Sequence, residues 1–250
     1  MRLKGKTALV TGGSRGLGKA VCASLAAEGA KVIINYFHNS SQANDAAEEI
    51  RQQGGTAFAV KGDVTDEKGA ASLIAESKQL LQQPVDILVN NATGPQPELS
   101  LEEASWKDYE DQLVFFVKAP LLLMKAVLPD MKESGGSVIN IGSEVVQLGN
   151  SSFSNYVTAK SAMLGMTRSW ASELGAYGIR VNLLNPGFVP VERHEGVGQD
   201  ALMAYQKNVP LGRMGIPADI GSACVFLASD ESSFITGQSL SVNGGNTFGI

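Results

Sequence analysis

Short runs rich in valine, isoleucine and leucine alternate along this chain with segments of helix length, and no other feature restricts the possible folds as much. The runs are TALVTG, KVIINYF, AFAVKGDV, DILVNNA, SVINIGS, RVNLLNPG and QSLSVNGG. A strand, a helix and a second strand in succession are the signature of a parallel sheet whose crossing helices cover its faces. The pattern predicts a doubly wound α/β fold, with a seven-stranded, mainly parallel sheet and helices on both faces.

Among 250 residues no stretch rich in proline, serine or charge divides the chain, so one domain over residues 1–250 is expected. Hydrophobic residues make up 44%, enough for a core of that size, and charged residues only 18%, too few for a disordered or coiled-coil chain. A formal net charge of −5 without basic clusters argues against a nucleic-acid partner. Cys22 and Cys224 lie in apolar helical contexts, which reads as two buried thiols, neither a disulfide framework nor a metal site. The start, MRLKGKTALVTGG, has no long apolar stretch of the secretory kind. Lys118 and Lys125 interrupt the most apolar helix, LVFFVKAPLLLMKAVL, which argues against a membrane span and leaves the cytoplasm as the expected location.

Local punctuation marks the helices. Gly29 and the pair Gly54 and Gly55 read as C-terminal stops. Ser100 with Glu103 reads as a capping box for a helix starting near Leu101, and Pro120 as a kink or as a boundary one turn earlier. Several strands finish in small or amide residues: Thr11-Gly12, Asn90-Asn91-Ala92, Gly142-Ser143 and Asn185-Pro186-Gly187. In open α/β sheets ligands bind beyond the carboxyl ends of the strands, so the chemistry is expected there.

TGGSRGLG follows the first strand and opens the first helix, placing Gly12, Gly16 and Gly18 where a backbone can approach a pyrophosphate at a helix N-terminus. An NAD site usually has an acid about 20 positions further on. Here the second strand ends in Asn35-Tyr36-Phe37-His38-Asn39-Ser40, without one. Arg15 and His38 can instead face a 2′-phosphate, which makes NADP(H) the expected cofactor and NAD(H) the alternative; the competing reading is that both are solvated. Asp63, in GDV, lies near the adenine or caps a turn.

Tyr156 and Lys160, four positions apart, share one helix face. A phenol near pKa 10 is a poor acid at neutral pH. An ammonium about 4 Å away contributes roughly 4 kcal/mol, enough to lower it by about three units. Ser143, thirteen positions before Tyr156, can hydrogen-bond the same substrate oxygen.

TGGSRGLG, GDV, NNAT, IGS, YVTAK, NPG and the C-terminal PLGRMGIPADIGSACVFLAS and ITGQSLSVNGG together resemble the short-chain dehydrogenase/reductase family over nearly the whole chain. The resemblance is greatest to bacterial 3-oxoacyl-carrier-protein reductases and glucose-dehydrogenase-like members. It implies a Rossmann-like domain, a homotetramer or homodimer, that moves hydride between NAD(P)H and a small-molecule or acyl-thioester carbonyl or alcohol. It implies Tyr156 as general acid/base, Lys160 as the group that lowers its pKa and binds the ribose, and Ser143 as the substrate-positioning residue. Cofactor contacts are implied for Gly12, Ser14, Arg15, Gly16, Leu17 and Gly18, for His38, Asp63 and Val64, and for Asn90, Ala92 and Thr93. Further contacts are implied for Ile141, Tyr156, Lys160, Pro186, Gly187 and Val189.

Three residues depart from the family pattern. Thr93 replaces a glycine and is expected either to shift the cofactor slightly or to add a hydroxyl to the site floor. Phe116 stands where the family usually has a catalytic asparagine, whose main-chain carbonyl holds a water. Val191 replaces a threonine that meets the nicotinamide carboxamide. Residues 188–212 are the expected substrate lid, a long insertion before the next helix, in which Glu192, Arg193 and His194 are expected to face water. Two other functions stay open: a dinucleotide-binding protein without turnover, and an enoyl reductase.

Overall fold

The computed structural model describes residues 1–249. Its strands are β1 (Thr7–Val10), β2 (Lys31–Tyr36), β3 (Thr56–Lys61), β4 (Ile87–Asn90), β5 (Gly136–Ile141), β6 (Ile179–Pro186) and β7 (Ser239–Val242). Among the described residues they form one parallel sheet in the order β3-β2-β1-β4-β5-β6-β7. The helices are α1 (Gly16–Ala27), α2 (Ser40–Gln52), α3 (Glu67–Leu81), α4 (Trp106–Leu113), α5 (Ala119–Ser134), α6 (Val145–Leu148), α7 (Ser154–Leu174), α8 (Gln199–Lys207) and α9 (Pro217–Ala228).

Strand side chains point alternately to the two faces, and β1 shows how this divides the core. Ala8 and Val10 join Val21, Cys22 and Leu25 of α1, Ala46 and Ile50 of α2, and Ile220 and Cys224 of α9. Leu9 joins Leu73 and Ile74 of α3, Leu123, Val127 and Met131 of α5, and Leu174 of α7. Each fully buried leucine or isoleucine contributes about 1.5–3 kcal/mol relative to exposure, so both helical layers are held to the sheet mainly by apolar burial. Both cysteines are buried thiols, and burial pushes their pKa values up, to about 12 for Cys224.

From β1 the chain winds outward through β2 to β3, then crosses back to β4 on the other side of β1. A crevice opens where the two directions diverge, at the carboxyl ends of β1 and β4. Asn91 stitches this point together: its Nδ2 donates to the carbonyls of Thr11 (2.9 Å) and Gly12 (3.2 Å). Thr11 Oγ1 in turn accepts from the backbone N–H groups of Asn91 and Ala92, both at 2.9 Å.

Two expectations need correction, and the disturbance announced by Pro120 takes a specific form. The Ser100–Glu103 box forms, with Ser100 N and Oγ donating to Glu103 Oε2, but it closes one turn only. The helix starts at Trp106 because a second box follows, in which Ser105 N and Oγ donate to Asp108 Oδ2 at 2.8 and 2.6 Å. Between α4 and α5 the backbone widens into a π turn, Val114–Lys118, where Ala119 N donates to Val114 O. Pro120 has no N–H for the carbonyl of Phe116, which favours the wider turn at that place. The lid segment, finally, holds helix α8 and a short 3-10 turn, Glu192–His194.

The continuous helix Trp106–Ser134 is long and apolar enough by composition to cross a membrane. Its inward residues Phe116, Ala119, Leu123, Val127 and Met131 are buried against the sheet and its neighbours, so that apolar surface has a destination within the protein.

Candidate active site

The glycine turn is built as its sequence requires. Gly12 and Gly16 have φ of 62° and 55°, in the left-handed region where a side chain is strained. A Cβ on Gly18 would lie 2.3 Å from the carbonyl oxygen of Gly12, so only glycine lets α1 approach β1 this closely. Arg15 caps α1 without a side-chain hydrogen bond to it, and the first turn holds no acid, so its N–H groups suit an anion. These residues fit the pyrophosphate of a dinucleotide. Ser14 and Leu17 are half-buried and Arg15 is exposed.

At the end of β2, Phe37 and His38 are exposed with their rings edge to face. Asp63 adopts the turn-capping role, accepting from Thr65 N at 2.8 Å and Thr65 Oγ1 at 2.6 Å, next to buried Val64. Asn90 donates to Asn140 Oδ1 at 2.8 Å; its own Oδ1 is buried without a hydrogen-bond partner among the described residues.

Ser143 follows β5, where its N–H donates to Asn185 Oδ1 at 3.1 Å and its Oγ accepts from Val145 N at 3.4 Å. Gly142 is fixed by the same asparagine, since a Cβ there would meet Asn185 Oδ1 at 2.0 Å. Helix α7 carries Tyr156 and Lys160 one turn apart, 6% and 5% exposed. Lys160 Nζ donates to the carbonyl of Ile141 at 2.6 Å, lies 3.9 Å from the ring centroid of Phe116 and 5.6 Å from that of Tyr156. The chain thus brings the β5 terminus, the tyrosine and the lysine to one side of the crevice.

Beside this group, Pro186 is buried at the end of β6, the strand paired to β5, and its carbonyl accepts from Glu144 N at 3.1 Å. Val189 is buried, and a Cβ on Gly187 would come within 2.7 Å of Tyr205 Oη. The segment after β6 comes against the glycine turn: Val191 and the exposed Glu192 are its nearest neighbours at Gly16, with Glu192 Oε2 3.5 Å from where a Cβ would be. Glu192 faces solvent as expected, but His194 does not. Its ring stacks on Phe188 at 4.7 Å and its Nδ1 accepts from Val191 N, because the short 3-10 turn folds it inward. The side chain of Arg193 lies outside the described residues. Thr93 is exposed; its hydroxyl accepts from Gln96 Nε2 at 2.7 Å and donates to the carbonyl of Gly94 at 3.1 Å. Among the described residues no cluster of three or more His, Cys, Asp or Glu side chains suits a metal.

The family described as enoyl-(acyl carrier protein) reductase matches residues 12–247. The Vibrio harveyi protein named 3-oxoacyl-[acyl-carrier-protein] reductase FabG is 39% identical over 251 residues, covering 98% of each chain. Among solved structures, a blue fluorescent protein from a metagenomic library in complex with NADPH superposes with a TM-score of 0.90 at 35% identity, covering 99% of this chain and 100% of its own. A 7α-hydroxysteroid dehydrogenase complexed with NADH and 7-oxo glycochenodeoxycholic acid superposes with a TM-score of 0.92 at 32% identity, covering 98% of this chain and 95% of its own. This chain belongs to the short-chain dehydrogenase/reductase family of oxidoreductases.

One part of this short-chain dehydrogenase/reductase has no signal in its sequence. Glu144, next to Ser143, is 4% exposed. Its carboxylate accepts from Tyr205 Oη of α8 at 2.5 Å and from Asn246 Nδ2 at 3.1 Å, while Tyr205 Oη accepts from Phe188 N at 2.8 Å. A glutamate after a strand-end serine reads as a surface residue; only the folding of α8 and the C-terminus onto it buries it. Burial, followed by the neighbouring Glu144, pushes the Tyr205 phenol up, so it stays a donor throughout the neutral range. Helix α8 is therefore latched to the turn that carries Ser143. Tyr205→Phe leaves one oxygen of a buried carboxylate short of a donor and is expected to cost about 1–3 kcal/mol. Thermal melting and limited proteolysis check it: a lower midpoint and faster cleavage within 192–208 are expected, and unchanged cleavage would count against a latch.

Proposed function

We propose that this chain is a cytoplasmic NADP(H)-dependent carbonyl reductase or alcohol dehydrogenase of the 3-oxoacyl-carrier-protein reductase type. It would work as one domain over residues 1–250, in a homotetramer or homodimer. The observation that carries the reading is the pairing of Tyr156 with Lys160, both buried on α7, in a chain whose first βα turn is a glycine turn suited to a pyrophosphate.

Bound NADP(H) would supply or accept the hydride. In the reducing direction Tyr156 Oη gives its proton to the substrate oxygen as that oxygen gains negative charge. Ser143 Oγ donates a second hydrogen bond to the same oxygen and orients it. Lys160 lowers the cost of the phenolate left behind and offers an N–H to the nicotinamide ribose. Gly12, Gly16 and Gly18 admit the pyrophosphate, and Ile141, Pro186, Gly187 and Val189 wall the nicotinamide. The relative's name supports an acyl-thioester ketone as substrate; a small free ketone is the other member of the class. Exposed Trp106 and Phe234 support association between copies.

The test is NADPH oxidation against a panel of 3-oxoacyl thioesters and small ketones. Turnover of a ketone is expected, and a protein that binds NADPH but oxidises none of it across the panel would overturn the reading. Reduction of a C=C bond is the second reading, favoured by the description of the matching family; including 2-enoyl thioesters in the panel separates the two.

Arg15 and His38 are assigned to the 2′-phosphate, and the absence of an acid at the end of β2 supports NADP(H) over NAD(H). A charge-assisted phosphate contact contributes about 1.5–3 kcal/mol. Arg15→Glu is accordingly expected to lower kcat/KM for NADPH by about 10- to 100-fold while sparing NADH. Equal losses with both cofactors would remove Arg15 from this role.

A further inference from the structure

Phe116 occupies a place that its sequence does not explain. It is 1% exposed and lies in the π turn, which directs its ring inward between two polar groups. Its edge-to-face contact with Tyr156 has a centroid distance of 5.4 Å and an interplanar angle of 81°. Within the same cluster it also packs near Ala159, Met163 and Leu183, and Lys160 Nζ lies over its face, 3.9 Å from the ring centroid.

That distance is well inside the range in which an aromatic face attracts a cation, and the attraction is strongest where water is excluded. Lys160 is 5% exposed. A lysine so buried would ordinarily be pushed toward the neutral amine, because desolvation penalises the charged form. The Ile141 carbonyl, which accepts from Nζ at 2.6 Å, and the negative face of the Phe116 ring oppose that tendency.

We propose that Phe116 is a positioning residue, whose ring face together with the Ile141 carbonyl holds Lys160 as an ammonium beside Tyr156. The inference deepens the reading of Tyr156 as the acid/base and rests on it. Phe116 touches neither substrate nor reacting atoms in this scheme; it acts through the lysine. Because the ring is apolar, it also closes that side of the ammonium to water, so Lys160 serves as a fixed charge there. A leucine would fill much of the same space without a negative face, and a tyrosine would keep the face.

The test replaces Phe116 with a series of fluorinated phenylalanines, which drain the ring face stepwise with little change in shape. Phe116→Leu and Phe116→Tyr are measured alongside. The readout is the titration of the Tyr156 phenol by tyrosinate absorbance, taken as the difference from a Tyr156→Phe protein, with thermal melting as the control for folding. The midpoint is expected to rise with each fluorine and in the leucine variant, by about one pH unit in all, and to stay near the native value in the tyrosine variant. A midpoint that does not move across the fluorinated series would overturn the proposal, leaving a ring that only fills space. Since the titration needs no turnover, a protein that reduced no carbonyl would defeat the reading of its activity while this measurement still decided the role of Phe116.

Discussion

Tyr156→Phe is expected to lower carbonyl-dependent NADPH oxidation by about 10²- to 10⁴-fold while NADPH binding and the melting midpoint stay near native. The size follows from what the hydroxyl does. A loss of that range corresponds to about 3–5 kcal/mol of transition-state stabilisation, the contribution of one positioned proton donor. The selectivity follows from what the ring does. Tyr156 contacts Phe116 and Phe153 through its ring, at 5.4 and 4.9 Å between centroids, and phenylalanine keeps both contacts. Tyr205 makes the comparison informative: its hydroxyl is tied through Glu144 to the turn that carries Ser143, but it is bound to a carboxylate and held protonated. If Tyr156→Phe kept activity within ten-fold of native, the proton would have to come from another group, and the proposed mechanism would fail.

Gly18→Ala is expected to be the most damaging single-methyl change in the nucleotide crevice. The added Cβ would lie 2.3 Å from Gly12 O and 2.6 Å from Asn91 Nδ2, and neither is the free end of a flexible chain. Gly12 O belongs to the turn itself, and Asn91 Nδ2 is the group that ties β4 to β1. Relieving the clash therefore opens the turn and loosens the switch point together. Overpacking of this kind costs about 1–3 kcal/mol, equivalent to roughly a 5- to 150-fold rise in the NADPH dissociation constant if the cost falls on the bound state. Titration of NADPH fluorescence and thermal melting measure the two parts. Gly165, on α7, is the control, because nothing lies within 4 Å of a Cβ there; alanine at that position removes only the flexibility of glycine. A Gly18→Ala protein that bound NADPH as tightly as native would show that the turn is not the pyrophosphate site.

Much of this molecule is readable without coordinates because the relevant physics is local or periodic. Seven apolar runs separated by helix-length segments specify a parallel sheet, since covering both faces leaves few other arrangements. Glycines after β1 announce a turn with positive φ, and a tyrosine and lysine four apart on a helix must share a face. Local signals mislead where two of them compete. Ser100–Glu103 and Ser105–Asp108 are both capping boxes, and nothing in the motif itself says that the second one starts the helix. Pro120 announced a disturbance in the helix, but its form, a π turn that sends Phe116 inward, depends on the neighbouring core.

Tertiary structure alone decided the partners of the buried charges. Lys160 is placed one helical turn from Tyr156 by sequence, yet its Nζ meets the carbonyl of Ile141 and the ring of Phe116, residues brought from β5 and from the turn before α5. Glu144 is made a buried acceptor by Tyr205 and Asn246, which lie 61 and 102 positions away. The reason is range: backbone periodicity acts over a few residues and is written in the sequence, whereas the desolvation of a charge depends on every element that closes over it, and those elements meet only when the sheet and its helices are assembled.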